Sequence, residues 1–531
     1  MYRSVAMLVA ISMIITAGNL RVKSSTKPDK PQGSRAESEP EDEEIRQLRR
    51  EGLQKKVSAE EARLFARAIL KPKAMRERVT ESYEANRRTL HQKVSINLRL
   101  DDDCRDYAKN QKVTLPLLVP EKGELLDDFR VFDTDGKPVR TMPYREYLAT
   151  AAAVVHYMLD ETPAARQEGS RDQREDSREA LWEMERSALR HIMRPRFTLS
   201  PQVIEKAKQE MRTKIERLGI NNQTKPVLSL IERLTTHYVV LACVDVPDDG
   251  QLTVTYERTV IPSQQENTKA AGPRLKRLIG VFLGARPMYV SVPLGNAWSA
   301  QSYHLQVAGP EGLYLSHQSI EPDDNSLYAG DGAYATFRRR LGQRYGHFYS
   351  RSLAVPEGRG TSPKARFTFY ETPPGSDFQA TVAAVSTFLL LWIIGFVVSN
   401  AHPADDVLGS DAPVLLLAFP GVAASWVGYE SQPGLLSRSL SALLSLMGTV
   451  AFSITGSALF MLYHGRIHPE IFEHKIPGGL AVLGVDKIWW GGLIVFSLAN
   501  AMMISYRWIV RSRMYSRLAS RPSFGVEGTQ T

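Results

Sequence analysis

The sequence predicts an α+β soluble region containing an antiparallel β-sandwich, followed by an all-α region of four transmembrane helices. Three observations predict it. Four long apolar runs fall after residue 378, although the mean hydropathy of the whole chain is slightly negative at -0.25. Over residues 235–372, short β-branched and aromatic runs are separated by Gly, Pro, Asp and Asn, the spacing of a sandwich. Charged, helix-prone text precedes them. At 531 residues the chain is long enough for several units, on a prior of roughly 100 to 200 residues per domain.

The membrane region, 379–510, is the firmest part. Residues 379–399 (QATVAAVSTFLLLWIIGFVVS) carry no charge, and at about 1.5 Å per residue they cross a hydrocarbon layer about 30 Å thick. A second span, 412–428, is shorter and contains Pro420 and Gly421, which membrane helices tolerate when neighbours satisfy the freed backbone groups. The third and fourth spans are 441–463 and 488–508, with Trp489, Trp490, Tyr506 and Trp508 bracketing the last as an interfacial aromatic belt.

Positive charge in the flanking segments sets the orientation. Arg511, Arg513, Arg517 and Arg521 put the basic tail, 511–531, in the cytoplasm, and four crossings return the large soluble region to the same side. The first loop, AHPADDVLGSD, fits the outside; Arg466, Lys475 and Lys487 in the third loop oppose this orientation. Residues 1–23 form a short hydrophobic segment, read as a signal-like sequence, a fifth membrane segment or a start-site artefact. The location expected is the cell membrane, multi-pass.

In the third span Ser441, Ser445, Thr449, Ser453 and Ser457 recur every four residues. Small hydroxylated residues at this spacing let helices approach and hydrogen-bond in lipid. An ion or proton path usually shows an acid, base or His within the membrane. None sits mid-span and Asn500 is the strongly polar side chain near a centre, so the stripe is expected to serve packing within the bundle or contact with a protein partner or second copy.

In the soluble region, 24–40 has linker composition. Residues 41–230 read as charged helices, exposed over 41–92, with a β-hairpin near 112–142; Ser200 and Pro201 mark a helix start. The β-rich domain covers 231–373. A net charge of +9 suits an anionic partner, and with membrane segments present that partner is lipid, met through Arg511, Arg513 and Arg517, with no nucleic acid expected. Cys104 and Cys243 stand far apart without a metal-ligand pattern, and no cofactor or metal site is expected.

One motif carries a chemical alternative. In FRVFDTDGKPVR, Asp133 and Asp135 sit like the nucleophile pair of haloacid-dehalogenase-type phosphatases, but Lys137 stands where that loop has Thr, and Asp127, Asp128 and Arg130 interrupt the preceding strand. The GDG at 330–332 lacks its following Asp, Ala335 taking the place, and Tyr144 occupies the twelfth position of any EF-hand. Asp-Gly is a favoured hairpin-turn pair, so a turn is the expectation. The run Ser302, Tyr303, His304 invites a hydrolase reading, but no Gly-x-Ser-x-Gly elbow accompanies it, and His304, His317 and His347 are read as structural.

The stretches SYHLQVAGPEGLYL, LLLAFPGVAASWVGYESQPGLLSRSLSALLSL and LPLLVPEKGELLDDFRVFDTDGKPV resemble uncharacterised actinobacterial membrane proteins that pair a β-rich soluble region with a C-terminal four-helix membrane region. The resemblance spans residues 110–515. It implies a cell-membrane location and brings no catalytic residue. The function expected is therefore an interaction or scaffold protein; the alternatives are a transporter or transport accessory subunit, then a membrane-bound phosphohydrolase using Asp133.

Overall fold

The structure, a computed structural model, describes residues 42–55, 57–85, 89–101, 112–162, 171–194, 201–217, 224–247, 249–261, 289–321, 333–338, 341–353, 363–400, 414, 416, 418–423, 439–464, 485 and 487–519. The chain divides into two compact units: Met1–Ala66, Pro116–Glu124 and Met142–Leu241 form one; Arg67–Leu115, Leu125–Thr141 and Ala242–Thr531 form the other.

The first unit is helical. It contains α1 (Asp42–Gln54), most of α2 (Ala59–Leu70), α3 (Tyr144–Asp160), α4 (Arg171–Met193), α5 (Pro201–Arg217) and α6 (Thr224–Thr236). Asp42, Glu43 and Glu44 in the first turn of α1 complement its dipole. Ile45 and Leu48 of α1 and Leu64 and Phe65 of α2 are buried, so these helices are packed, not exposed as their charge suggested. α3 carries the small residues Ala149, Ala152 and Ala153 where α1 crosses it, which lets α1 come close: a Cβ on Gly52 would stand 3.0 Å from the Ala153 nitrogen. α5 begins at Pro201, where a missing N–H costs nothing, while Ser200 lies outside the described residues.

The second unit opens with a correction. Residues 76–99, expected as charged helix and up to residue 92 as exposed helix, form antiparallel strands β1 (Arg76–Ala85) and β2 (Leu90–Arg99). Their period of two is real, but the inward positions include Glu81 and Gln92 among Val79, Tyr83, Val94 and Ile96, which hides the apolar alternation. The expected hairpin at 112–142 is also replaced. β3 (Lys112–Leu118) pairs with β5 (Val240–Asp245), whereas β4 (Asp127–Phe132) pairs antiparallel with β6 (Gln251–Val260). β4 is an edge strand, and its charge belongs there: the register slips between Asp127 and Arg130, with Asp128 at φ 49°, which bends and protects a sheet edge.

The remaining strands are β7 (Tyr289–Pro293), β8 (Ser302–Ala308), β9 (Leu313–Glu321), β10 (Tyr334–Arg338), β11 (Tyr345–Arg351) and β12 (Lys364–Glu371). A seven-stranded sheet runs β10-β11-β8-β1-β2-β6-β4, antiparallel except for the parallel pair β1 and β8, and a three-stranded antiparallel sheet runs β7-β12-β9. Aromatic side chains from both sheets meet: Phe337 of β10 lies 5.1 Å from Phe348 of β11 and 5.9 Å from Phe367 of β12, ring centre to ring centre. Two glycines make room, since a Cβ on Gly309 would stand 2.6 Å from the Phe369 ring and one on Gly346 would run into Phe367.

Three C-terminal helices are long and apolar enough to cross a membrane: α7 (Gly375–Asn400), α8 (Leu440–His464) and α9 (Ile488–Ala519). Of the expected span 412–428, residues 414, 416 and 418–423 are described, and they are helical. Ile393, Phe396, Ile454, Phe496 and Met502 face outward, the surface a lipid solvent requires, while Leu391, Ile394, Phe460 and Ile494 pack inward. Trp489 and Tyr506 are exposed as an aromatic belt demands, but Trp490 is buried in the bundle, packed with Val485 and Phe460.

His237, just after α6, gives the helical unit an acid sensitivity. Burial, then the charge of Arg233, pushes its imidazole down to about 4. Between its ordinary 6.5 and that value the unfolded chain takes up a proton that the folded unit refuses, so stability falls as pH drops through this window, by at most about 1.4 kcal/mol per pH unit. We expect His237→Gln to flatten the decline of the thermal midpoint between pH 6.5 and 4; an unchanged slope would show that other groups set it.

Candidate functional site

Among the described residues of the second unit two carboxylates are buried, and each is held in a different way. Glu81 sits on the inward face of β1, in register with Val94 of β2 and Leu305 of β8. Its Oε1 accepts from Tyr83 Oη at 2.6 Å and from Gln92 Nε2; its Oε2 accepts from Tyr303 Oη at 2.7 Å and Asn296 Nδ2 at 3.2 Å. Arg258 of β6 donates to the side-chain Oε1 of Gln92, and Arg76, also buried, donates to Ser299 Oγ. Burial, then the Glu81 charge, raises Tyr83 and Tyr303 well above the usual phenol range and pushes Tyr256 up to about 12. The four donors are neutral at any ordinary pH. They come from β1, β2, β8 and the turn before β8, so the carboxylate ties together the parallel β1–β8 pair and its neighbour.

The second carboxylate is Asp377, where the sheets pass into the membrane helices. β12 ends at Glu371, whose Oε2 accepts from the Ser376 backbone N–H at 2.9 Å and from the Ser376 hydroxyl, satisfying a free donor at the start of α7. Burial raises the Glu371 carboxyl above its usual range, and the Ser376 bonds oppose that rise. Gly375 supplies the turn at φ +53°. In the first turn of α7, Asp377 Oδ2 meets Arg511 Nη1 of α9 at 2.5 Å, and Ser441 of α8 donates to Oδ1 at 3.5 Å. All three described membrane helices therefore converge on one carboxylate. Asp377 is 4% exposed and the Arg511 side chain 18%, so the pair is largely shielded from water.

α9 carries the junction further. Its 32 residues measure roughly 48 Å at 1.5 Å each, well beyond a hydrocarbon layer about 30 Å thick. The surplus runs onto the sheets: Arg511 lies 5.2 Å from the Tyr370 ring of β12, Tyr515 lies 4.8 Å from Tyr314 of β9, and a Cβ on Gly342 would stand 3.3 Å from the Ala519 nitrogen. Burial pushes Tyr314 up to about 12.

The residues singled out in the sequence are placed as follows. Asp133 is a turn residue: its Oδ1 accepts from the backbone N–H groups of Asp135 at 3.0 Å and Lys137 at 2.8 Å, Gly136 adopts φ +76°, and Phe132 bridges Pro138 across the turn. Asp135 pairs with Lys137 at the surface. Tyr303 points inward to Glu81, so Ser302 and His304 face the other side of the sheet, where His304 packs edge-on to Tyr349 at 4.6 Å. His317 and His347 are strand residues of β9 and β11. The residues 330–332 and Cys104 lie outside the described set; Cys243 is exposed. Among the described residues no three His, Cys, Asp or Glu side chains are placed to hold a metal ion.

Ser441, Ser445, Thr449 and Ser453 are buried within this chain, and Ser457 is half-buried. Asn500 of α9 donates to Ser445 O at 3.2 Å and Thr449 Oγ1 at 3.4 Å. Arg511 is drawn into the Asp377 pair, while Arg513 and Arg517 remain at the surface. Sequence reasoning missed Glu81 and Asp377. The signals were present: a Val-x-Glu-x-Tyr alternation for the first, and for the second an acid just before one span with an Arg just after another.

No protein-family model and no curated protein matches the chain. Among solved structures, a "putative protease" from Parabacteroides distasonis is 8% identical, over 72% of this chain and 58% of that one, with a TM-score of 0.20. This chain thus spans 58% of that structure's length, and likeness at this score carries no argument about fold or activity.

The Asp377–Arg511 pair is testable. Removing one partner of a buried pair strands the other, at a cost of about 3 to 5 kcal/mol. Arg511→Met is expected to lower the thermal midpoint in detergent strongly, and adding Asp377→Asn to recover part of that loss. Additive effects of the two substitutions would show that the pair is not coupled.

Proposed function

We propose that this is a multi-pass cell-membrane protein with four crossing helices, whose two sheets form a sandwich on the cytoplasmic side and serve as an interaction or scaffold module. The observation that carries the reading is the length of α9: it continues past the membrane and packs on β9 and β12, so the sheets are held to the helices by side-chain contacts and not by a flexible linker. A rigid mount suits a surface that must meet its partner at a set height above the bilayer.

Several features support the finer points. Residues 418–423 are helical, and Leu416, Phe419 and Val422 are more than half exposed, as on a lipid-facing second span. The basic end of α9 favours the cytoplasmic side by the positive-inside argument, and Arg513 and Arg517 there each gain about 1 kcal/mol near anionic head groups. The outer face of the seven-stranded sheet is open and polar: Arg78, Lys93, Asn97 and Arg351 are exposed on it, next to Thr80, Ser95 and Tyr349. The turn geometry of Asp133, with one carboxylate oxygen taken by its own backbone, favours this reading over a phosphohydrolase.

A photo-crosslinking residue at Tyr349 in native membranes is expected to capture one partner in stoichiometric yield, and a residue at the buried Val94 to capture none. Equal, unspecific capture from both positions would sink the scaffold reading, and recovery of a permease would replace it with a transport role. Orientation is read separately: in a Cys104→Ser chain, an impermeant maleimide is expected to label Cys243 only after the cells are opened, and labelling of intact cells would place the sheets outside.

A further inference from the structure

The strand ends nearest the membrane can be followed across both sheets. β12 runs into α7, so its end at Glu371 is the membrane end; Glu371 pairs with Leu313 of β9, and the Thr372 N–H donates to Gly312 O at 2.8 Å. Residues 309–312 join β9 to β8, which puts Ala308 at the same end. From there the register passes from strand to strand. Ala308 pairs with Glu84 of β1 and Tyr345 of β11, Ala85 with Leu90 of β2, Leu90 with Val260 of β6, and Thr259 with Asp127 of β4. From Glu371 to Gly375, where α7 starts, extended chain covers at most about 14 Å, so this end of the sheets stays close to the headgroup layer.

The side chains on this rim are unusual for a surface facing water. Leu125 and Ile261 lie just beyond β4 and β6, and continuing the Asp127–Thr259 register sets them across from each other. They are 86% and 76% exposed, more than any other large apolar side chain among the described residues, the outward ones of the membrane helices included. Outside those helices, the described part of the second unit exposes two more. Tyr345 is on the same rim, and Tyr334, paired with Arg351, is at the opposite end. Single exposed apolar residues need no explanation, whereas three gathered on the end that adjoins a bilayer do.

The neighbouring charges select the kind of contact. Arg344 on this rim is taken up by Glu84 and Glu311, at 3.7 and 3.8 Å. Asp127 and Asp128, both exposed, follow Leu125 within three residues, and Arg130 is paired with Asp128. Carboxylates beside the apolar tips repel anionic head groups, so the contact suited to them is apolar insertion among uncharged lipids.

We propose that Leu125, Ile261 and Tyr345 seat this rim of the seven-stranded sheet in the headgroup layer of the bilayer that α7, α8 and α9 are long enough to cross, as a second contact with lipid beside the helices. Leu125 and Ile261 withdraw apolar surface from water there, and Tyr345 buries its ring while its hydroxyl stays wet. β6 is the third strand from β8, and at about 4.8 Å per strand the foothold stands roughly 14 Å to the side of the junction. The Asp377–Arg511 junction alone is a pivot; a second foothold fixes the tilt of the sheet. The inference needs the helices to cross a bilayer, and it holds whichever side the sheets occupy and whatever partner they bind.

The test uses the full chain with Cys104→Ser and Cys243→Ser, reconstituted in liposomes of uncharged phosphatidylcholine. A single cysteine, Leu125→Cys or Ile261→Cys, carries an environment-sensitive fluorophore, and a nitroxide-labelled lipid is the quencher. Quenching is expected at both positions and not at Tyr334→Cys on the opposite end. Leu125→Asp with Ile261→Asp should abolish the quenching of a dye at Tyr345→Cys and leave the thermal midpoint in detergent unchanged, because both side chains are already exposed. No quenching at 125 and 261, equal quenching at 334, or quenching that needs anionic lipid would each overturn the proposal. So would a dye at 125 or 261 that is shielded from water yet untouched by the lipid nitroxide, which would assign the rim to a second copy or another protein.

Discussion

Asp377 and Arg511 form the interaction on which the second unit depends. A carboxylate that is 4% exposed at the edge of a hydrocarbon layer is costly without a partner, and its partner arrives from the other end of the membrane region, 134 positions along the chain. That single requirement registers α9 against α7. Once Arg511 is fixed there, Trp508 falls against Phe378 and Tyr515 against Tyr314, and the helix has no freedom to stop at the membrane surface. Ser441 completes the site from α8, so the start of one helix, the start of another and the end of a third are aligned at the same depth.

Glu81 plays the corresponding part in the seven-stranded sheet by a different chemistry. No Arg or Lys ion pair to it is present among the described residues; four neutral donors surround it. Neutral donors satisfy a buried charge without adding a second desolvated ion, whereas an ion pair must recover the cost of both. The difference follows from the location. At the junction the Arg511 side chain keeps 18% of its surface exposed, a partial outlet for its charge that the buried centre of the sheet does not offer. The Glu81 donors also explain why β1 and β8, far apart in the chain, pair in parallel: Tyr303 and Asn296 reach the carboxylate only when β8 lies beside β1.

How much of this was legible in the sequence depends on whether a feature is local. Three of the four expected membrane helices were legible because hydrocarbon permits few alternatives, and their expected ends fall within a few residues except for α9, whose extension is charged and reads as a tail; of the expected span 412–428 residues 414, 416 and 418–423 are described. The turn at Asp133 was legible because Asp-Gly chemistry is settled within five residues. The strands at 76–99 were not, because Glu81 and Gln92 occupy inward positions and mimic a polar helix. Nor was the pairing of β3 with β5 and β4 with β6, since neighbouring strands form a hairpin by default and only packing at long range decides otherwise.

The hydroxyl row shows the same limit at the site itself. Its spacing was visible at once, and its meaning was not, because the groups that qualify it lie on other helices: Asn500 on α9 and Asp377 on α7. A stripe of Ser and Thr seen alone is a device for close packing. Packing does not require every hydroxyl in it, since alanine would pack as closely at Ser445 and Ser453 without stranding a polar atom. The same stripe tied to Asp377 by Ser441 and to Asn500 by Thr449 also fixes the register of α7, α8 and α9 against one another.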